Sequence, residues 1–257
     1  MKIKVLGCFG GQLPGCNNSA YLLDNDTLID AGTIALKLPI KDQQKIKTIL
    51  ISHPHLDHIG ALPFYGVNIV SNISKPVQIT GGDFTINAMK KYLMNGIIWP
   101  DFTKINNFGG HNVFAYSKIK ISKWNKVSRY TVKPVPVNHT VPANGFIIGK
   151  NNRYLLYTGD TKQTNAIWKE AKKLGTRLKS IMIEVAYPDG LAKLAENSGH
   201  LVPKTMELEL KKLGNKARPR IFIMHIKPEY LGRIKKELKA IKGYNITVMQ
   251  EGKIYTV

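Results

Sequence analysis

The stretch Ile49-Leu50-Ile51-Ser52-His53-Pro54-His55-Leu56-Asp57-His58-Ile59-Gly60 runs out of an apolar strand and sets four potential metal ligands within six residues. In extended backbone, residues two apart face the same way, so His53 and His55 can address one ion. Pro54 biases His53 toward extended geometry and stiffens that presentation. Asp57 and His58 follow where the chain turns and are aimed differently, which suits a second ion. Neutral imidazole and carboxylate are ligands for zinc, and equally for manganese or iron. Histidines do cluster by chance, and a lone one is more often a hydrogen-bonded surface or core residue. Here three of the chain's seven fall within six residues, with an aspartate among them, directly after a strand. That arrangement favours metal binding.

Two sites need further ligands, and the chain offers them at the ends of other strands. Val135-Pro136-Val137-Asn138-His139 ends one strand in a histidine, Tyr157-Thr158-Gly159-Asp160 ends another in an aspartate, and Ile223-Met224-His225 ends a third in a histidine. Asp160 alone would also serve as a cap for a helix starting near 163. The shared strand-end placement is the argument, because ligands gather along one edge of a sheet sandwich.

The elements that must position these groups are short. Apolar alternation and Gly, Pro and Asn breaks predict strands at 2–9, 19–23, 27–30, 47–51, 67–70, 76–80, 118–122, 129–135, 145–149 and 153–157. A helix is expected over 84–94 with Asp83 as its N-cap. Further on, a helix at 163–173 leads to a strand at 179–184, and a helix at 204–213 opens on Pro203. A strand at 220–224, a helix at 229–241 and strands near 246–249 and 253–256 complete the chain. Clustered strands with helices at intervals imply two packed sheets with helices outside, a four-layer αββα sandwich. The 257 residues carry no repeat and no linker, so one domain over 1–257 is expected.

Composition bounds the setting. Apolar residues make up 43% and charged residues 21%, which excludes wholesale disorder. No run approaches the roughly 20 apolar residues that cross a bilayer, and Met1-Lys2-Ile3-Lys4 reads as a first strand, not a secretion signal. Cys8 and Cys16 suit a reduced compartment and leave a short-loop bridge open. A cytoplasmic protein without a membrane partner is expected. Lys plus Arg is 38 against 17 for Asp plus Glu, a net +21 that would attract phosphate ligands and could bind nucleic acid nonspecifically. Only six of the 38 are Arg and the lysines are dispersed, as on a solvated surface.

The order HxHxDH at 53–58, then His139, then Thr-Gly-Asp ending at Asp160, then His225, resembles the metallo-β-lactamase superfamily. The resemblance implies the αββα fold, with His53, His55 and His139 on one divalent ion, Asp57, His58 and His225 on a second, and Asp160 bridging. Carboxylate ligands without a cysteine are similar to the dinuclear phosphodiesterase and esterase branches. Asn18-Ser19-Ala20-Tyr21-Leu22, Gly60-Ala61-Leu62-Pro63-Phe64, Ile98-Trp99-Pro100-Asp101-Phe102 and Ser198-Gly199-His200-Leu201 together resemble class II 3′,5′-cyclic-nucleotide phosphodiesterases. Departures lie at 91–95, which reads Lys-Tyr-Leu-Met-Asn, and at Val202 in place of a small hydroxyl residue.

This implies hydrolysis of cyclic AMP or cyclic GMP to the 5′-monophosphate by a metal-bridging hydroxide, with zinc expected first and manganese or iron accepting the same ligands. Asp57 and His200 are the expected catalytic residues. His200 lies in a Gly-containing loop before a helix, where it could serve as general acid or phosphate-binding cation. Asn18 and Ser19 could approach the phosphate, and Trp99 and Phe102 could stack on the base, although aromatics beside Ile97-Ile98 are more often core. His111, in a Gly-Gly turn, reads as a loop residue. A homodimer is compatible with the sequence. The competing readings are an RNA-processing endonuclease of the tRNA 3′-end type, which would use the charge but lacks a Gly/Pro-rich arm here, and a non-catalytic metal-containing nucleotide-binding module.

Overall fold

The computed structural model of the protein describes residues 1–214 and 217–257. Two compact units form. The first comprises Met1–Gly7, Asn17–Ile119 and Glu251–Thr256, and the second comprises Cys8–Cys16, Lys120–Gln250 and Val257. Each is built on one seven-stranded mixed sheet.

In the first unit, β1 (Lys2–Gly7), β2 (Ala20–Leu23), β3 (Thr27–Ile29), β4 (Thr48–Ile51), β5 (Val77–Gly81) and β6 (Phe114–Lys118) lie side by side in chain order, and β14 (Ile254–Thr256) returns to pair with β1. The pairs β14-β1, β1-β2 and β2-β3 are antiparallel, and those from β3 to β6 are parallel. Strand β4 reads Thr-Ile-Leu-Ile and is buried throughout, as expected of a parallel strand covered on both faces. Two one-turn helices, α1 (Ile40–Gln43) and α2 (Leu56–Ile59), precede the longer ones; on one face of the sheet Leu28, Ile49, Ile51 and Ile79 share a core with Leu62, Tyr65 and Ile69 of α3 (Leu62–Ile69) and with Ile86 and Met89 of α4 (Asp83–Tyr92). Withdrawing each such side chain from water contributes roughly 1.5–3 kcal/mol.

The strand expected at 67–70 is instead the end of α3. Val67, Ile69 and Val70 are β-branched and favour strand locally. Pro63 sits in the first turn, and buried Leu62, Tyr65 and Ile69 follow helical spacing, so packing on the sheet overrides local preference. Gly82, not Asp83, is the N-cap of α4. The strand placed at 118–122 lies earlier, as β6.

In the second unit, β7 (Asn125–Val127), β8 (Tyr130–Val137), β9 (Ala143–Lys150), β10 (Arg153–Tyr157), β11 (Leu178–Glu184), β12 (Arg220–Met224) and β13 (Asn245–Val248) also follow chain order. The pattern repeats: antiparallel from β7 to β10, parallel from β10 to β13. The core of this unit joins Ile147, Leu156, Ile181 and Ile223 to Ile167 and Trp168 of α5 (Ala166–Lys172), Met206 and Leu210 of α7 (Pro203–Lys211), and Ile234 and Leu238 of α8 (Leu231–Ala240). An unexpected helix, α6 (Ala192–Ser198), buries only Ala195, so no apolar stripe announced it.

Two mixed sheets with flanking helices therefore match the expected composition of layers. In each parallel half the C-terminal strand ends lie together, where α/β proteins place their ligands. Cys8 is buried, its thiol donating to Met249 O at 3.6 Å, and Cys16 is half-buried. Among the described residues no helix is long and apolar enough to cross a membrane.

Candidate metal centre

At the C-terminal ends of β3 and β4 the first unit builds a linked set of imidazoles. Asp30 follows β3 and is fully buried. Its Oδ1 accepts the Ser52 N–H at 2.8 Å, and its Oδ2 accepts the Ser52 hydroxyl at 2.8 Å and faces His58 Nδ1 at 2.7 Å. Because Ser52 Oγ donates to Asp30, it accepts from His53 Nδ1 at 3.0 Å. Both contacts dictate a tautomer: His53 and His58 carry the proton on Nδ1 and present Nε2 as the lone-pair nitrogen. His53 Nε2 lies 3.1 Å from His55 Nδ1, and His58 Nε2 lies 3.8 Å from Asp57 Oδ2. Two ligand nitrogens about 2.05 Å from a tetrahedral zinc stand roughly 3.3 Å apart, so the His53–His55 spacing fits a shared cation.

The second unit gathers donors at the ends of β8, β10, β11 and β12. Ligand atoms of His139, Asp160 and His200 lie within 4.8 Å of one another, and His225 Nε2 is 3.1 Å from Asp160 Oδ2. His139 donates from Nδ1 to the Gly199 carbonyl at 2.9 Å. Gly199 ends α6 at φ +79°, and a Cβ there would stand 2.7 Å from that nitrogen, so glycine is required for conformation and for clearance. His225 adopts φ +61° and donates its N–H to Cys8 O. That left-handed backbone in a non-glycine residue is strain of the type held at functional sites. Gly10 makes room for its ring, since a Cβ there would lie 2.5 Å from His225 Cδ2.

His200 Nδ1 lies 2.9 Å from Oε1 of Glu184, which is fully buried. Glu184 also accepts the backbone N–H of Thr161 at 2.8 Å and of Leu201 at 3.2 Å. Burial opposes a charge on His200, but the Glu184 carboxylate, by charge and hydrogen bond, and Asp160 beyond it hold the imidazole above its usual range. Burial raises the Glu184 carboxyl as well, against the pull of His200.

The donor set fits divalent metal ions: imidazole and carboxylate only, with lone pairs directed by buried partners. Each expected ligand falls within one of the two sets: His53, His139, Asp160 and His225 follow strand ends, whereas His55 is the N-cap of the short helix Leu56–Ile59, which carries Asp57 and His58. Asn18 is half-buried beside Asp57, since a Cβ on Gly32 would lie 2.7 Å from Asn18 Cβ and 2.0 Å from Asp57 O. Its Oδ1 is buried without a hydrogen-bond partner among the described residues. Ser19 is buried, its carbonyl accepting from Gly32 N. Trp99 is half-buried against Phe64, with ring centroids 5.1 Å apart. Phe102 is 4% exposed and edge-on to Phe114, which makes it a core residue and not a stacking surface. His111 is exposed, its N–H bonded to Asn107 Oδ1.

Sequence reasoning missed Asp30 and Glu184. Asp30 directly follows an apolar strand and Glu184 is the last residue of one, close to the signal that identified Asp160. Asp30→Asn keeps the shape and tolerates the left-handed backbone but removes the charge that orients His58. It is expected to weaken metal affinity roughly 10–100-fold, measured by competition with a chromogenic chelator; unaltered affinity would make Asp30 a purely structural residue.

A sequence profile for class-II cAMP phosphodiesterases matches residues 33–231. All seven expected ligands fall inside that span. A Yersinia pestis protein described as a probable 3′,5′-cyclic-nucleotide phosphodiesterase is 28% identical over 282 aligned positions, covering 89% of this chain and 79% of the relative. The crystal structure of unliganded yeast PDE1 superposes with a TM-score of 0.82 at 18% identity, covering 98% of both chains. The metallo-β-lactamase fold protein YhfI from Bacillus subtilis superposes with a TM-score of 0.78 at 16% identity, covering 99% of both. These likenesses establish a common fold.

Proposed function

This chain belongs to the class-II cAMP phosphodiesterases, hydrolases with the metallo-β-lactamase fold, and from that premise we propose that it cleaves a 3′,5′-cyclic nucleotide to the nucleoside 5′-monophosphate. The observation that carries the reading is the donor chemistry: imidazoles whose tautomers are set by buried Asp30 and by the Gly199 carbonyl, within the span that matches the family. His53, His55 and His139 would hold one divalent ion, Asp57, His58 and His225 a second, and Asp160 both. Zinc is the first ion to test, then manganese and iron. Divalent ions held there would activate water for attack and would offset the negative charge that builds on phosphorus. Residues 1–257 act as one hydrolase domain in this reading.

The chain's own residues supply the rest. Asp57 and Asp160 set the charge of the centre, leaving it positive enough for a singly charged phosphodiester. Asn18 offers a polar side chain beside Asp57 for the phosphate or ribose, with Ser19 fixing that loop. His200 delivers the proton that the departing ribose 3′ oxygen needs, from Nε2, because its Nδ1 is engaged by Glu184. Trp99 keeps a partly open ring for the base.

The test is a substrate panel. Purified protein reconstituted with zinc, manganese or iron(II) is offered cyclic AMP, cyclic GMP and a tRNA precursor. Release of the 5′-monophosphate from a cyclic nucleotide, lost on chelation, is expected; cleavage of the RNA alone would overturn the reading in favour of an endonuclease.

A further inference from the structure

Beside His200 the second unit opens a groove of about 570 Å3, lined by Lys162, Gln163, Lys193, Glu196 and Thr205 with His200 among them. This volume falls in the range of small-molecule sites, about 300–1,000 Å3. One wall is the segment directly after Asp160. It is tied to the residue preceding His139: Lys162 N–H donates to Asn138 O at 2.8 Å, and Asn138 Nδ2 donates to Gln163 O at 2.6 Å. Residues of α6, among them Lys193 and Glu196, also line the groove. The groove is thus built on the same backbone that carries two of the proposed ligands and the proposed acid.

Its chemistry differs from that of a nucleobase pocket. Among the described residues that line it, the His200 imidazole is the one ring, and no Phe, Tyr or Trp is present to stack on a base. Lys193 pairs with Glu196 at 3.2 Å, whereas Lys162 makes no ion pair among the described residues. Lys162 therefore contributes a surplus positive charge. A cyclic mononucleotide has a single negative charge, and the reaction centre takes it. Nothing on that substrate would answer Lys162.

Building on the phosphodiesterase reading, we propose that the groove is a subsite for a second phosphoryl group, one carried by the nucleoside attached to the leaving oxygen. The substrate class extends to linear 5′-phosphorylated dinucleotides. Half-buried His200 and exposed Lys162 line the same groove, so a group bonded to the 3′ oxygen that takes its proton from His200 comes within reach of Lys162. In the reaction a water oxygen bonds to phosphorus and the P–O3′ bond breaks. One water proton is lost from the attacking oxygen and one proton is delivered to O3′. The products are one nucleoside 5′-monophosphate and the 5′-phosphorylated upstream nucleotide with a free 3′ hydroxyl.

The experiment compares cyclic AMP, the dinucleotide ApA and its 5′-phosphorylated form pApA on the metal-reconstituted full chain. A KM for pApA about tenfold below that for ApA is expected, the worth of one charge-assisted contact. Lys162→Ala should collapse that ratio toward unity and Lys162→Arg should restore it. Absence of pApA cleavage, equal KM values for the two dinucleotides, or a ratio that survives Lys162→Ala would overturn the subsite. The two readings fail separately. Cyclic AMP hydrolysis without preference for pApA removes the groove and leaves the phosphodiesterase, whereas preferred cleavage of pApA with cyclic AMP untouched does the reverse.

Discussion

Asp160→Ala is expected to abolish cyclic-nucleotide hydrolysis, by more than about 1,000-fold in kcat, and to lower the bound metal per chain. Asp160 is 1% exposed, its Oδ2 is 3.1 Å from His225 Nε2, and its ligand atom lies within 4.8 Å of those of His139 and His200. Loss of this carboxylate removes a negative charge from a set of imidazoles, so cations that bind there lose both a donor and their charge balance. His58→Ala should act in the same direction from the other set. Metal content by elemental analysis and turnover are measured together, with circular dichroism to verify folding. A variant that keeps both its stoichiometry and its rate ends the dinuclear reading.

The second large effect concerns the proton. His200→Ala is expected to lower kcat about 100- to 10,000-fold with metal content retained; an unaltered kcat would return His200 to an ordinary loop residue. Glu184 acts through His200 and is a positioning residue, so its test needs a readout that mere structure would not move. Although burial works against a charged His200, Glu184 holds that imidazole above its usual range. Removing the carboxylate charge lowers the imidazole's pKa, so the acid form is lost at lower pH. Glu184→Gln should therefore shift the alkaline limb of the kcat–pH profile downward, with Glu184→Asp partly restoring it. A profile that falls in height without moving would assign Glu184 to folding alone.

These predictions differ in how far the sequence foretold them. Asp160 was legible because local order carries the information: Leu155-Leu156-Tyr157 reads as a strand, and an aspartate three residues past its end sits at a sheet edge. His53, His55, Asp57, His58, His139 and His225 were legible for the same reason. Glu184 and Asp30 sit at strand ends as well, at Ile183-Glu184 and Ile29-Asp30, yet a carboxylate at a strand end can also cap a turn or face solvent. What distinguishes them is three donors converging on each buried carboxylate, from residues 16 to 28 positions away along the chain.

Packing decided other points against local preference. The β-branched run at 67–70 became helix because Leu62, Tyr65 and Ile69 meet the sheet on one face. Phe102 went into the core against Phe114, leaving Trp99 as the partly open ring. The cation groove beside His200 had no signature at all, since Lys162 and Lys193 are 31 residues apart and ordinary in composition.

The sequence by itself determined the donor types, their order and their attachment to strand ends, because the alternation and interruption of apolar residues are short-range properties. Only the tertiary structure decided which nitrogen of His53, His58, His139 and His200 carries the proton, which carboxylates orient the imidazoles and which lysine borders a groove. Those follow from hydrogen bonds and burial between residues distant along the chain, and no local pattern encodes such distances.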